Sequence, residues 1–156
     1  MVKLEIVTVG KSKDSWLDEA VAHYEKLLSK YARIKWTVVT SPTKSSSLPP
    51  AEIKRLKADK LENILANSYL IALADSGKKF DSFTFAKNLE KLTVKSRNEI
   101  KIVIGGPYGL DDSILKKANE VWSLSRLAFS HQIVRIVLLE QLFRAFSILN
   151  GRDYHK

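Results

Sequence analysis

The chain has 156 residues, 45% of them hydrophobic and 28% charged, which fits one globular domain over 1–156 and excludes a disordered, collagenous or rod-like protein. It contains no cysteine, so disulfides, Cys-ligated zinc, Fe–S clusters and thiol nucleophiles are excluded, and three histidines give no expectation of a metal site. Lys+Arg 26 against Asp+Glu 17 leaves a formal charge of +9, which suits an acidic partner, most simply nucleic acid.

The first segment, 2–10, carries Leu4, Ile6, Val7 and Val9 and reads as a strand ended by Gly10. Asp14 is placed to cap a helix in which Trp16, Leu17, Ala20, Val21, Tyr24, Leu27, Leu28 and Tyr31 form one apolar stripe. A second strand is expected at 33–40, followed by a polar loop at 41–47. Pro49-Pro50 opens a helix at 50–66 with Ile53, Leu56, Ile64 and Leu65 inward and Lys54, Arg55, Lys57 and Lys60 mostly on the solvated side. A short apolar run at 69–74 reads as a buried strand, and 75–81 as a loop. A helix at 82–94, a strand at 100–104, a short helix at 111–120 and a strand at 121–125 follow. The last helix spans 130–150 and is stopped by Asn150-Gly151. Strands alternating with helices imply an α/β domain: a mainly parallel sheet with helices on both faces.

In such sheets ligands sit outside the carboxyl ends of the strands. Three segments there stand out: 73–78, Gly105-Gly106-Pro107-Tyr108-Gly109, and 124–129. A Rossmann G-x-G-x-x-G is missing, because the first strand ends in the single Gly10. A P-loop is missing too: Gly77-Lys78 has no glycine five residues earlier, and Lys79 follows where Ser or Thr is needed.

The last helix is apolar nearly all round. His131 and Arg135 share one face, and Glu140 and Arg144 stand i, i+4 on another. A helix of that kind is buried on several sides, so a homodimer packed through it is expected. The same helix is too short and too interrupted by Glu140, Gln141 and Arg144 to span a membrane. The N-terminus is too charged for a signal peptide, so a cytoplasmic location without membrane attachment is expected. The tail carries Arg152, Tyr154, His155 and Lys156, residue types that stack on bases and hold phosphates.

Taken together, these segments closely resemble the ribosomal RNA large subunit methyltransferase H family of the SPOUT class. The resemblance rests on Gly105-Gly106-Pro107-Tyr108-Gly109-Leu110, Trp122-Ser123-Leu124-Ser125, His131-Gln132, Arg135, Glu140-Gln141, Arg144-Ala145, Tyr154-His155-Lys156 and the opening Val7-Thr8-Val9-Gly10-Lys11. It covers the whole chain. It implies a C-terminal trefoil knot, a homodimer, and methylation of N3 of a pseudouridine in 23S ribosomal RNA using S-adenosylmethionine, with the ribosome as substrate. Carried over residue by residue, cofactor contacts fall on Leu73, Gly105, Leu124, Ser125, Arg126, Leu127, Ala128 and Phe129. Arg144, Tyr154 and His155 fall at the reacting base, and His131, Arg135 and Lys156 on the RNA. Ser130 departs from the family by replacing a proline, which is expected to loosen the start of the last helix. A SPOUT enzyme acting on transfer RNA, or a non-catalytic RNA-binding module of the same fold, are the alternatives.

Overall fold

The computed structural model describes residues 1–11, 14–40 and 47–156; Ser12, Lys13 and most of the expected polar loop, 41–46, lie outside them. Ten elements follow in order: β1 (Val2–Val9), α1 (Ser15–Leu28), β2 (Ala32–Val39), α2 (Pro50–Leu65), β3 (Tyr69–Lys78), α3 (Ser82–Lys95), β4 (Glu99–Ile104), α4 (Asp112–Lys117), β5 (Glu120–Trp122) and α5 (Ile133–Leu149). The strands form one sheet in the order β2-β1-β4-β3-β5, and every pairing is parallel.

The crossovers dictate the layers. The steps β1 to β2 and β3 to β4 run one way across the sheet; β2 to β3 and β4 to β5 run the other. Right-handed connections therefore put α1 and α3 on one face and α2 and α4 on the opposite one. Strand alternation agrees with this. Leu4, Ile6, Ile71, Ile100, Ile102 and Ile104 pack with Leu28 of α1, Leu89 and Leu92 of α3, and Leu138, Leu142 and Phe146 of α5. Val7, Val9, Leu70, Ala72 and Val103 face the other way, onto Ala58, Leu61 and Leu65 of α2 and Ile114 of α4.

The last helix finds part of its burial within the chain. α5 lies against both α1 and α3 over the sheet, which buries Leu138, Leu139, Leu142 and Phe146, while Ile133, Ile136, Val137 and Leu149 stay partly exposed. Its C-terminus closes in a Schellman arrangement. Gly151 takes φ +65°, its N–H donates to the Ile148 carbonyl, and the Arg152 N–H donates to Ser147. At the other end Ser130 tightens the turn rather than loosening it, since its hydroxyl accepts from the Ile133 N–H and its carbonyl from Val134.

Three sequence expectations are corrected. Trp16 is half exposed, at 50%, because it stands one residue, about 100°, round the helix from the buried Leu17. Lys57 is only 8% exposed: its stem fills the seam under α2, and its ammonium lies where a side chain on Gly106 would be. Residues 75–78 belong to β3 rather than to a loop. Leu73 and Lys78 both register with Trp122, so 74–77 bulge out between two points of attachment.

That bulge presses Gly77 against β5. A Cβ there would stand 2.5 Å from the Trp122 carbonyl carbon and 2.8 Å from the Ser123 nitrogen, both backbone atoms with no rotamer to yield. Gly77→Ala is therefore expected to lower unfolding stability by about 1–3 kcal/mol or more. Urea unfolding checks this, and a midpoint equal to wild type would refute the close approach.

Candidate active site

The carboxyl ends of β3, β4 and β5 surround a cavity of about 660 Å³. Three pieces of backbone make it. The β3 bulge brings Leu73, Asp75 and Ser76. The turn after β4 brings Gly105, Gly106, Pro107 and Gly109, and the segment after β5 brings Ser123, Leu124, Ser125, Leu127 and Phe129. His131 and Val134, at the start of α5, close one side.

Each piece is shaped locally. In the β4 turn the Gly109 N–H donates to the Gly106 carbonyl at 2.9 Å, and Gly109 takes φ +77°. Gly105 lies so close to Gly109 that a Cβ on it would meet the Gly109 carbonyl carbon at 2.7 Å. After β5 the Ser123 hydroxyl donates to the Ser125 carbonyl, and the Ser125 hydroxyl accepts from the Leu127 N–H. The result is a cradle of main chain and leucine side chains, within the usual ligand-site range of roughly 300–1,000 Å³.

Of the residues expected at a cofactor, Leu73, Gly105, Leu124, Ser125, Leu127 and Phe129 line this cavity. Arg126 and Ala128 do not. They point to a neighbouring depression shared with Asp75, Lys79 and Ser125.

Arg144, Tyr154 and His155 form a second group, built on α5 and the tail. The Arg144 Nη2 donates to Glu140 Oε1 at 2.7 Å and its Nε at 3.2 Å, an i, i+4 pair on the helix. Tyr154 donates its hydroxyl to the same Glu140 oxygen at 3.1 Å, and the guanidinium lies 4.9 Å from the Tyr154 ring centre. Arg144 Nη1 lies 3.1 Å from His155 Nδ1. Arginine only donates, so Nδ1 accepts and the His155 proton sits on Nε2. Phe143 and Phe83 meet Tyr154 and His155 edge-on, at 4.7 and 4.9 Å.

These contacts fix the charge states. The bond from Arg144 to Glu140 raises the guanidinium pKa, keeping it cationic. Burial, then the bond to Glu140, raises the pKa of the Tyr154 phenol, which is a donor here and not a base. Glu140 is the hub of the group and was missing from the sequence-based candidates. Its spacing to Arg144 showed the pair; nothing in the sequence showed that the tail returns to it.

The two groups are separate within one chain. Val134 lines the cavity, whereas Arg144 stands ten residues further down α5, about 15 Å along its axis. Of the residues expected on RNA, His131 lies at the cavity, and burial together with the charges of Arg135 and Lys57 lowers its pKa. Arg135 is only 6% exposed and donates to the Gly10 carbonyl at 2.9 Å, tying α5 to the turn after β1. Lys156 is exposed and lies 3.9 Å from Asp153. Among the described residues no group of His, Asp or Glu is placed to hold a metal, and no helix is long and apolar enough to cross a membrane.

A family profile described as "Predicted SPOUT methyltransferase" matches residues 2–155, which places this α/β chain in the SPOUT methyltransferase class. A Listeria monocytogenes protein named ribosomal RNA large subunit methyltransferase H is 41% identical over 99% of this chain and all of its own length. An Enterococcus faecalis protein of the same name is 36% identical over the same shares. The chain belongs to the ribosomal RNA large subunit methyltransferase H family. In fold it also resembles a crystal structure of a probable methyltransferase from Bordetella pertussis, with TM-score 0.56 and 14% identity, covering 91% of this chain and 95% of that one.

Proposed function

We propose that the protein methylates N3 of a pseudouridine in 23S ribosomal RNA from S-adenosylmethionine, as a homodimer whose C-terminal half is tied in a trefoil knot. What carries this reading is the backbone-lined cavity, on a chain related over its whole length to proteins named for methylating large-subunit ribosomal RNA.

The residues present fit the cofactor. Leu73, Leu124, Leu127 and Phe129 offer apolar surface for an adenine, main chain at Gly105 and Ser125 offers donors and acceptors, and no Cβ fills the cradle at Gly105. When bound, S-adenosylmethionine supplies a methyl group already activated on a sulfonium. The chain therefore has no leaving group to activate. Its task is to orient the base and to stabilise the anion left when the acceptor nitrogen gives up its proton.

Arg144 brings a fixed positive charge to that task, and His155 presents an Nε2–H donor beside it. Glu140 positions Arg144 and Tyr154 together. The acceptor proton leaves to solvent, because Tyr154 holds its own proton and Nδ1 of His155 is engaged by Arg144. About 15 Å of helix separates this group from the cavity of the same chain. A second copy, antiparallel along α5, brings the tail of one subunit to the cavity of the other. An assembled ribosome or subunit presents the base, in keeping with relatives named for methylating large-subunit ribosomal RNA.

Transfer of labelled methyl from S-adenosylmethionine to ribosomes lacking the modification tests this, with the product nucleoside identified by mass spectrometry. The expected product is N3-methylpseudouridine in 23S RNA. Cofactor binding without transfer to ribosomes would overturn the substrate and turn attention to transfer RNA. Absence of cofactor binding would leave a non-catalytic RNA-binding module.

A further inference from the structure

A second cavity, of about 520 Å³, opens between α1 and the tail, lined by Tyr154 but not by Arg144. Lys26, Lys30 and Arg152 line it, all exposed, and among the described residues none of them pairs with a carboxylate. Its wall is aromatic: Tyr31, Phe143 and Tyr154. The rings are held in place, with Tyr31 stacked 5.4 Å from Phe146 at 10° and Phe143 edge-on to Tyr154.

Lys26 sits in the last turn of α1, and Lys30 and Arg152 follow the C-termini of α1 and α5, so two helix ends gather their cations at one cavity. The Schellman bond from the Arg152 N–H to Ser147 fixes the tail beside the cavity. Ser147 also lines it, 1% exposed, with a hydroxyl that has no hydrogen-bond partner. Three cations, unpaired among the described residues, outnumber the one carboxylate of the pocket, Asp153, and with the rigid rings they suit an occupant with a negative charge and a planar face. A nucleotide has both.

We propose that this cavity is a subsite for a nucleotide of the single-stranded RNA flanking the target base. Its phosphate is held by Lys26, Lys30 and Arg152, and its base lies against the aromatic wall. The subsite rests on the proposed RNA methylation, and it gives that reaction a second handle on the substrate, next to the Arg144 group and outside the cofactor cavity.

The test uses the full-length protein carrying Lys26→Gln together with Lys30→Gln. One arm measures binding of a labelled single-stranded oligouridylate by fluorescence anisotropy between about 50 and 200 mM salt. The other measures kcat and KM on ribosomes. Loss of two of the three cations on that phosphate should make the slope of log K against log salt shallower by about 0.7 and weaken binding about tenfold at the low-salt end. KM should rise with kcat within about twofold, with cofactor affinity, melting temperature and sedimentation unchanged. An unchanged salt slope in a folded variant overturns the subsite. So does failure of the wild type to bind the oligonucleotide, or a variant whose sedimentation changes while its RNA binding does not. A wild type that binds the oligonucleotide through these lysines but leaves ribosomes unmethylated supports the subsite and refutes the ribosomal substrate.

Discussion

Replacing Arg144 with alanine is expected to slow methyl transfer about 10²–10³-fold while S-adenosylmethionine affinity stays within about twofold. The separation of the two effects follows from position. Arg144 does not line the cavity of its own chain, and in the proposed dimer it faces the acceptor base rather than the cradle at Leu73, Gly105 and Leu124, so cofactor affinity should depend on it little. Its guanidinium is the fixed cation of the group that includes Tyr154 and His155, where an imide anion would need stabilising. The loss goes beyond one charge. Glu140 would keep its carboxylate at a half-buried site with only the Tyr154 hydroxyl and its neighbour Gln141 to satisfy it, and His155 would lose the donor that fixes its tautomer. Arg144→Lys should recover only a small part of the rate, because one ammonium cannot reach Glu140 through two nitrogens and His155 through a third. Single-turnover rates and calorimetry of the cofactor decide the matter. Equal losses in both would make Arg144 a structural residue.

The contrast between Arg144 and Lys57 marks how far the sequence could be read. Hydrophobic period revealed the alternating strands and helices, and glycines after a buried strand located the turn at 105–109. Those signals are local, and local signals survive in a one-dimensional string. Lys57 lies on what the helical wheel makes the wet side of α2, yet it is buried, because Gly106 on another element leaves room for its ammonium. The β3 bulge is equally invisible: 74–77 look like a loop after a strand, and only the return of Lys78 to Trp122 makes them part of the sheet. α5 misled in the opposite way. Its all-round apolarity pointed to a partner subunit but gave no sign that α1 and α3 of the same chain flank it and cover part of that surface. The spacing of Glu140 and Arg144 was readable. The return of Tyr154 to Glu140, across fourteen residues and a helix stop at Gly151, depends on a Schellman turn whose direction no periodicity encodes.

Gly105→Ala should weaken cofactor binding about a hundredfold for a reason local to one turn, and it supplies the partner for a decisive pairing with Arg144→Ala. A Cβ at Gly105 meets the Gly109 carbonyl carbon at 2.7 Å and its oxygen at 3.0 Å, so the turn must open to ordinary contact at 3.4 Å or beyond. That turn forms one wall of the cavity, and misplacements of about 1 Å at such walls cost on the order of a hundredfold. Calorimetry should show that loss in affinity, with the Arg144 group intact. Each variant alone is then inactive for a different reason. If the tail of one subunit serves the cavity of the other, a mixed dimer has one wholly intact site: the cavity of the Arg144→Ala subunit, served by the tail of the Gly105→Ala subunit. Refolding the two variants together at equal amounts should therefore restore about a quarter of wild-type activity, since half the dimers are mixed and each has one working site of two. Sites completed within a single chain would leave every mixed dimer with two broken sites and no recovery. The outcome thus separates the two arrangements without requiring a structure of the dimer, and it does so through Gly105 in the turn after β4 and Arg144 on α5, ten residues beyond the cavity-lining Val134.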